Sequence, residues 1–364
     1  MNTRNYLLLT PGPLSTSNTV REAMLQDWCT WDKDYNEGVV SVLRRDLLDI
    51  AGLGGDYTTV LLQGSGTYCV EAVLGSAVKE SDTLLIMANG AYGKRMGDIA
   101  RYHGLRHHLV PLKETEPVTP KAVLAALAIH PETTHLAMVH CETTTGILNP
   151  LADVARAVRG RGLTFIVDAM SSFGGVPIDA EGLCIDFLVS SANKCIQGVP
   201  GFGFVIARRE SIEACRGVSR SLSLDLYDQW DEMEKGRGKW RFTSPTHVIH
   251  AFFQALKELQ EEGGVEARHR RYEANHRVLV EGMARAGVET LLPASVQSPI
   301  ITSFLYPSAN FQFPSFYEAL KERGFVIYPG KISEAPTFRI GNIGDVFPKD
   351  FERLSRAVAS ILGV

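Results

Sequence analysis

None of the six cysteines (Cys29, Cys69, Cys141, Cys184, Cys195 and Cys215) stands in CxxC spacing. That argues against a disulfide framework or a zinc site and for buried, reduced thiols. Long apolar runs are also missing: no stretch could cross a bilayer, and Met1 to Leu14 has no charged segment followed by an apolar one of signal-peptide length. The expectation is a protein of the cytoplasm with no membrane partner. Surplus charge of one sign is absent too, since 37 Lys and Arg face 41 Asp and Glu for a net charge of -4. Nucleic acid and anionic membranes therefore have no electrostatic reason to bind. There is no internal repeat and no low-complexity tract.

What remains is 364 residues of ordinary soluble composition, 45% hydrophobic and 21% charged. This is more chain than one ordinary core uses, so a large domain with a smaller one is expected. Tyr6 to Leu14 reads as an extended arm ending in the rigid turn Pro11-Gly12-Pro13. Apolar residues at helical spacing predict a helix over Gly38 to Ile50. From Thr58 on, β-rich runs alternate with helical ones: strands at Thr58 to Leu62, Thr83 to Met87, His135 to His140, Leu163 to Val167, Ile185 to Val189 and Phe202 to Ile206. Such alternation means βαβ units and a mostly parallel sheet. Arg216 to Gly238 is polar and reads as a long excursion, after which Ser244 and Pro245 suit the start of a helix that runs to Gly263-Gly264. Beyond it, a basic helix, strands at Ile300 to Leu305, Val326 to Tyr328 and Thr337 to Ile340, and a closing helix from Lys349 describe an α+β unit. The boundaries that follow are 16–262 for the large domain and 1–15 with 263–364 for the small one.

Ligands of parallel sheets bind beyond the carboxyl ends of the strands. Ser65, Tyr92, Thr143, Asp168 and Lys194 all stand just past such ends. Lys194 lies in the small-residue stretch Ser190 to Gly201, between two apolar strands. Desolvation there favours the neutral amine that attacks a carbonyl, although a plain surface lysine would fit the same stretch. Gln63-Gly64-Ser65-Gly66-Thr67 links a strand to a helix N-terminus, an arrangement that can cradle phosphate but is neither a Walker loop nor a full GxGxxG. Together these residues match the needs of pyridoxal 5′-phosphate (PLP). Lys194 would take the aldehyde, Asp168 would keep the pyridine nitrogen protonated, Tyr92 would stack on the ring and Thr143 would bond the ring hydroxyl. Ser65, Gly66 and Thr67 would hold the phosphate.

Val167 to Ser172, Ser191 to Lys194, Gly64 to Thr67, Asn89 to Gly93, Glu142 to Gly146 and Phe338 to Gly341 resemble the motifs of the class V aminotransferases of PLP fold type I. The resemblance covers nearly the whole chain. It implies an α/β large domain with a mostly parallel seven-stranded sheet flanked by helices and a smaller α+β C-terminal domain. It also implies a homodimer with shared active sites. Asn193 would join the cofactor-binding set, Thr243 would reach the neighbour's cofactor phosphate, and Arg339 would bind the substrate's anionic end. Longer runs, among them Tyr6 to Leu14, Ala169 to Gly175, Lys194 to Gly201, Ser219 to Tyr227 and Gly238 to Thr246, are similar to the branch of the family that passes the amino group of 2-aminoethylphosphonate to pyruvate.

Three rival readings share part of this pattern. Serine or alanine aminotransferases using pyruvate or glyoxylate have every cofactor residue in common with it. A cysteine desulfurase would usually have histidine where Asn193 stands, and no cysteine follows Cys215 to serve as a late nucleophile. A nicotinamide dehydrogenase or a non-catalytic nucleotide-binding module could use a similar sheet. His247 and His250 lie one turn apart on a helix without an evident third ligand, and His107-His108 reads as a solvated pair, so no metal is expected.

Overall fold

The computed structural model describes residues 6–332 and 335–364, so residues 1–5 of the range 1–15 expected in the small domain lie outside it. In chain order the strands are β1 (Leu7–Leu8), β2 (Tyr57–Gly64), β3 (Leu84–Ala88), β4 (His107–Pro111), β5 (His135–Val139), β6 (Cys141–Glu142) and β7 (Ile147–Leu148). They continue with β8 (Thr164–Asp168), β9 (Phe187–Ser191), β10 (Gly201–Arg208), β11 (Ile301–Leu305), β12 (Phe325–Val326), β13 (Tyr328–Pro329) and β14 (Thr337–Gly341). Seven of them form the main sheet in the order β2-β10-β9-β8-β5-β3-β4. Only β10 runs against its neighbours.

The sheet is covered on both faces, and its central strands β5, β8 and β9 are therefore buried along nearly their whole length rather than alternating, while the edge strand β4 is partly exposed. Phe165, Ile166 and Val167 of β8 and Phe187, Leu188 and Val189 of β9 are all buried. Each such side chain contributes about 1.5–3 kcal/mol relative to exposure. The helix Gly66–Ala77 crosses β9 and β10 closely because Gly203 lacks a side chain: a Cβ there would meet Cys69 Sγ at 2.6 Å.

The rest of the chain builds a second sheet, antiparallel, in the order β11-β14-β13, with its own core around Phe304, Phe338, Phe351 and Leu354. The N-terminal arm belongs to this neighbourhood, because Leu7 pairs with Phe325 in parallel and Gly341 N donates to Leu9 O at 2.9 Å.

Three local expectations are corrected. The polar stretch 216–238 contains the helix Leu226–Lys235, whose buried stripe of Leu226, Trp230 and Met233 recurs at helical spacing behind many charges, with Asp225 capping it. The helix Thr246–Glu262 has Pro245 at its N-cap; Ser244 instead turns its hydroxyl to Tyr35 OH at 2.8 Å. The strand expected at 326–328 is two, β12 and β13, in different sheets.

Candidate functional site

Parallel pairing sets β8 and β9 in register with Asp168 beside Val189, so the chain leaving β9 after Ser191 brings Lys194 to the rim where Asp168 stands. Lys194 is half-buried, and Nζ donates to the carbonyls of Pro11 (2.7 Å) and Gly12 (3.4 Å) in the N-terminal arm. The arm can lie this close because Gly12 has φ +108 and no Cβ; one placed there would sit 2.5 Å from Asn193 O and 2.8 Å from Lys194 Cδ. Desolvation lowers the Lys194 pKa to about 8, despite the attraction of Asp168. The amine is thus far closer to its nucleophilic form than a solvated lysine.

Asp168 is 5% exposed, and its Oδ1 accepts the N–H of Met170 at 2.9 Å. Burial raises its pKa to about 6, against the pull of that hydrogen bond and of Lys194 and Arg95. A carboxyl held this way is short of a cation, which a protonated pyridine nitrogen would supply.

Ser65 occupies the N-cap of the helix Gly66–Ala77 in extended conformation, with its hydroxyl not used as a cap. The first backbone N–H groups of that helix and the hydroxyls of Ser65 and Thr67 share one corner, where Arg95 Nη1 donates to Thr67 Oγ1 at 3.1 Å. Tyr92 sits in the first turn of the helix Ala91–Tyr102, and its N–H donates to Glu142 Oε2 at 3.2 Å. Thr143 is fully buried, and its Oγ1 has no hydrogen-bond partner within the chain. An unpartnered buried hydroxyl is costly, by about 1–3 kcal/mol, unless a ligand satisfies it. Asn193 Oδ1 accepts from Ser191 Oγ at 3.2 Å.

Arg339 lies in β14 opposite Ser303 and Tyr328, 5% exposed. Its Nη1 donates to Thr143 O at 2.8 Å and its Nε to Pro329 O at 3.0 Å, so the guanidinium is held in place with donors to spare. Burial pushes its pKa down. Among the described residues, Thr243 makes no hydrogen bond to the other site residues. It is exposed, beside Phe242, on a cavity of about 500 Å³ lined also by Gln63, Tyr68 and Gly64, the last next to Ser65.

Sequence reasoning misses Pro11, Gly12, Glu142, Arg95 and Lys331 as site residues. The Pro-Gly-Pro turn was the available signal for the first two. Glu142 is fully buried and accepts N–H bonds from Tyr92 and Thr144. His247 bonds Asp27 and His250 bonds Ala23 O, while His108 contacts Glu132 at 2.7 Å and stacks on His130 at 3.7 Å.

A lysine on a strand-end loop, an acid at the end of the adjacent strand and a helix N-terminus thus stand at one rim of the main sheet. The chain belongs to the class-V aminotransferase family, whose model matches residues 41–357. Among its relatives, the 2-aminoethylphosphonate–pyruvate transaminase of Phocaeicola vulgatus is 63% identical over 359 residues, 98% of this chain and 99% of that protein. The enzyme of the same name from Bacteroides fragilis is 65% identical over 354 residues (97% and 98%), and that from Aeromonas hydrophila is 62% identical over 360 (98% and 95%). Among solved structures, the ureidoglycine-glyoxylate aminotransferase of Bacillus subtilis superposes with a TM-score of 0.91 at 22% identity, covering 100% of this chain and 94% of that one. The alanine–glyoxylate aminotransferase of a Nostoc species does so with 0.91 at 23%, covering 100% and 96%. These two speak for the fold alone.

Proposed function

We propose that this protein transfers the amino group of 2-aminoethylphosphonate to pyruvate, giving phosphonoacetaldehyde and L-alanine. The observation that carries the reading is the near-full-length identity of 62–65% with three relatives bearing that name. Lys194 and Asp168 on one rim of the main sheet, with Arg339 reaching across from the second sheet to Thr143, support the reaction class independently.

The residues present fit PLP, because Asp168 wants a cation and Thr143 Oγ1 wants a partner. When bound, PLP supplies an aldehyde that takes up the amine and a ring that withdraws the electrons left when the substrate carbon loses its proton. The chain's own groups do the rest. Asp168, largely ionised above pH 6, would hold the proton on the ring nitrogen. Tyr92 would cover the ring face, Thr143 would bond its hydroxyl, Ser65, Gly66 and Thr67 would hold the phosphate, and Asn193 would complete the cofactor-binding set. Lys194 Nζ takes the proton from the substrate carbon and returns one during the exchange, which needs the neutral amine that desolvation favours. Arg339 orients the anionic end of the donor and the carboxylate of pyruvate.

The working assembly in this reading is a homodimer in which Thr243 of each copy reaches the other's phosphate. Trp31 and Phe242, 82% and 51% exposed, suit a surface that a second copy covers. We take 16–262 as the cofactor-binding domain and 1–15 with 263–364 as the smaller one. The cytoplasm is the proposed location; six free cysteines suit it, and among the described residues no helix is long and apolar enough to cross a membrane. The test is direct: supply PLP, 2-aminoethylphosphonate and pyruvate and follow alanine. Alanine appearing only with serine or another amino acid as donor would sink the proposal.

A further inference from the structure

Three cationic side chains gather around Tyr92. Lys331 Nζ lies 4.7 Å from the ring centroid and Arg95 Cζ lies 5.0 Å from it. Arg339 is the third. Its Nη1 is bonded to Thr143 O, and its Nε is bonded to Pro329 O, two residues before Lys331 in the loop that leaves β13. Glu142 faces Lys331 and Arg339, and Asp168 faces Arg95; both acids are buried, and burial raises the pKa of each toward the neutral form, so they do not cancel three charges. Desolvation first, then repulsion by Arg95 and Arg339, lowers the Lys331 pKa. Like charges held this way are a standing cost that an arriving anion relieves.

Arg95 has a positioning task at Thr67, and Arg339 has two backbone anchors. Lys331 is an exposed lysine on a flexible stem with its Nζ over the Tyr92 ring, close enough to Arg95 and Arg339 to feel both charges. A carboxylate is planar, singly charged and satisfied by one edge of a guanidinium. A phosphonate is tetrahedral, carries a third oxygen and is dianionic when fully ionised. One guanidinium edge leaves that oxygen and the second charge unmatched, and an ammonium with three rotatable donors can meet both from outside the guanidinium plane.

We propose that Lys331 is the residue that distinguishes a phosphonate from a carboxylate, forming with Arg339 a two-cation seat for the dianionic end of the amino donor. The inference rests on the aminophosphonate reading above. The test uses the holoenzyme with Lys331→Met and Lys331→Arg. KM and kcat are measured for 2-aminoethylphosphonate and for pyruvate, and binding of ethylphosphonate and propanoate is measured by calorimetry. Lys331→Met is expected to lower kcat/KM for the aminophosphonate by about 10- to 100-fold, mostly through KM, and to weaken ethylphosphonate by a similar factor. Pyruvate KM and propanoate binding should change by less than about threefold, and Lys331→Arg should restore most of the loss. Equal losses for pyruvate and the aminophosphonate, or unchanged ethylphosphonate binding, would overturn the proposal. If the wild type makes no alanine from the aminophosphonate yet prefers ethylphosphonate to propanoate in a way Lys331→Met abolishes, the proposed reaction falls and the seat stands. If the wild type turns the aminophosphonate over and Lys331→Met does so with unchanged KM, the seat falls and the reaction stands.

Discussion

Replacing Asp168 by asparagine separates the electrostatics of the apo site from its chemistry. In the apo chain this carboxyl titrates near 6, against an ordinary value of 3.8, because burial disfavours its charge. The folded state therefore binds the proton more tightly than the unfolded one between those values, and stability falls as pH rises through that window. At pH 7.5 the resulting handicap is about 3 kcal/mol, and at pH 5 it is about 1.6 kcal/mol. The Asp168→Asn variant would have no such handicap, since the amide does not titrate. It keeps an oxygen to accept the Met170 N–H, and any cost of burying its NH₂ is independent of pH. The informative quantity is thus the difference in unfolding free energy between Asp168→Asn and wild type, both stripped of PLP and measured by denaturant titration. That difference should move in favour of the variant by about 1.4 kcal/mol between pH 5 and pH 7.5. With PLP added, the order should invert at pH 7.5, because only the carboxylate can pair with a protonated ring nitrogen. A difference that stays flat from pH 5 to 7.5 in the apo proteins would refute the claim that Asp168 is held as a charge without a partner.

Other consequences can be read with simple assays. Since the Lys194 amine titrates near 8 and must be neutral to attack an aldehyde, the rate at which apoenzyme captures PLP should climb between pH 7 and 9, with the free-amine fraction going from about a tenth to about nine tenths; stopped-flow absorbance would follow it, and a flat profile would contradict the assignment. Gly12→Ala places a Cβ at positive φ and 2.5 Å from Asn193 O, so the arm must move off Lys194. A loss of about 1–3 kcal/mol in stability and at least about tenfold in turnover is expected, by denaturant titration and alanine production. Thr243→Ala, at an exposed position, should leave the fold intact but weaken PLP by about tenfold in fluorescence titration if its hydroxyl serves the partner's phosphate.

The sheet was legible because parallel strands buried on both faces write themselves as short apolar runs, and β5, β8 and β9 are such runs. Residues at their carboxyl ends then fall on one rim by topology alone, which is how Asp168 and Lys194 could be paired from sequence. The helix Leu226–Lys235 was missed because its charged face outnumbers its buried stripe, though Asp225 followed by Leu226, Trp230 and Met233 carried the signal. Contacts between distant segments were not legible at all. Lys194 meets Pro11 across 183 residues, and Arg339 meets Thr143 across 196. No local periodicity encodes such pairings. The role of Arg339 came through family resemblance, and nothing in the neighbourhood of Lys331 announced that it would meet Tyr92.

Those long-range contacts also tie the two halves of the site together. The arm that places Pro11 O on Lys194 Nζ is itself bonded to the second sheet, through Leu7 beside Phe325 and Gly341 N on Leu9 O. Gly341 closes β14, the strand that carries Arg339, and Arg339 in turn grips Thr143 O on the main-sheet side. Hydrogen bonds thus run in series from Lys194 through the arm and β14 to the loop at Thr143. A shift of β14 that improves the fit of an anion at Arg339 must also move the carbonyls that hold the Lys194 amine. A donor that engages Arg339 poorly should therefore lose turnover as well as affinity, whereas the loss of Lys331, which is outside this run of hydrogen bonds, should act mostly through KM.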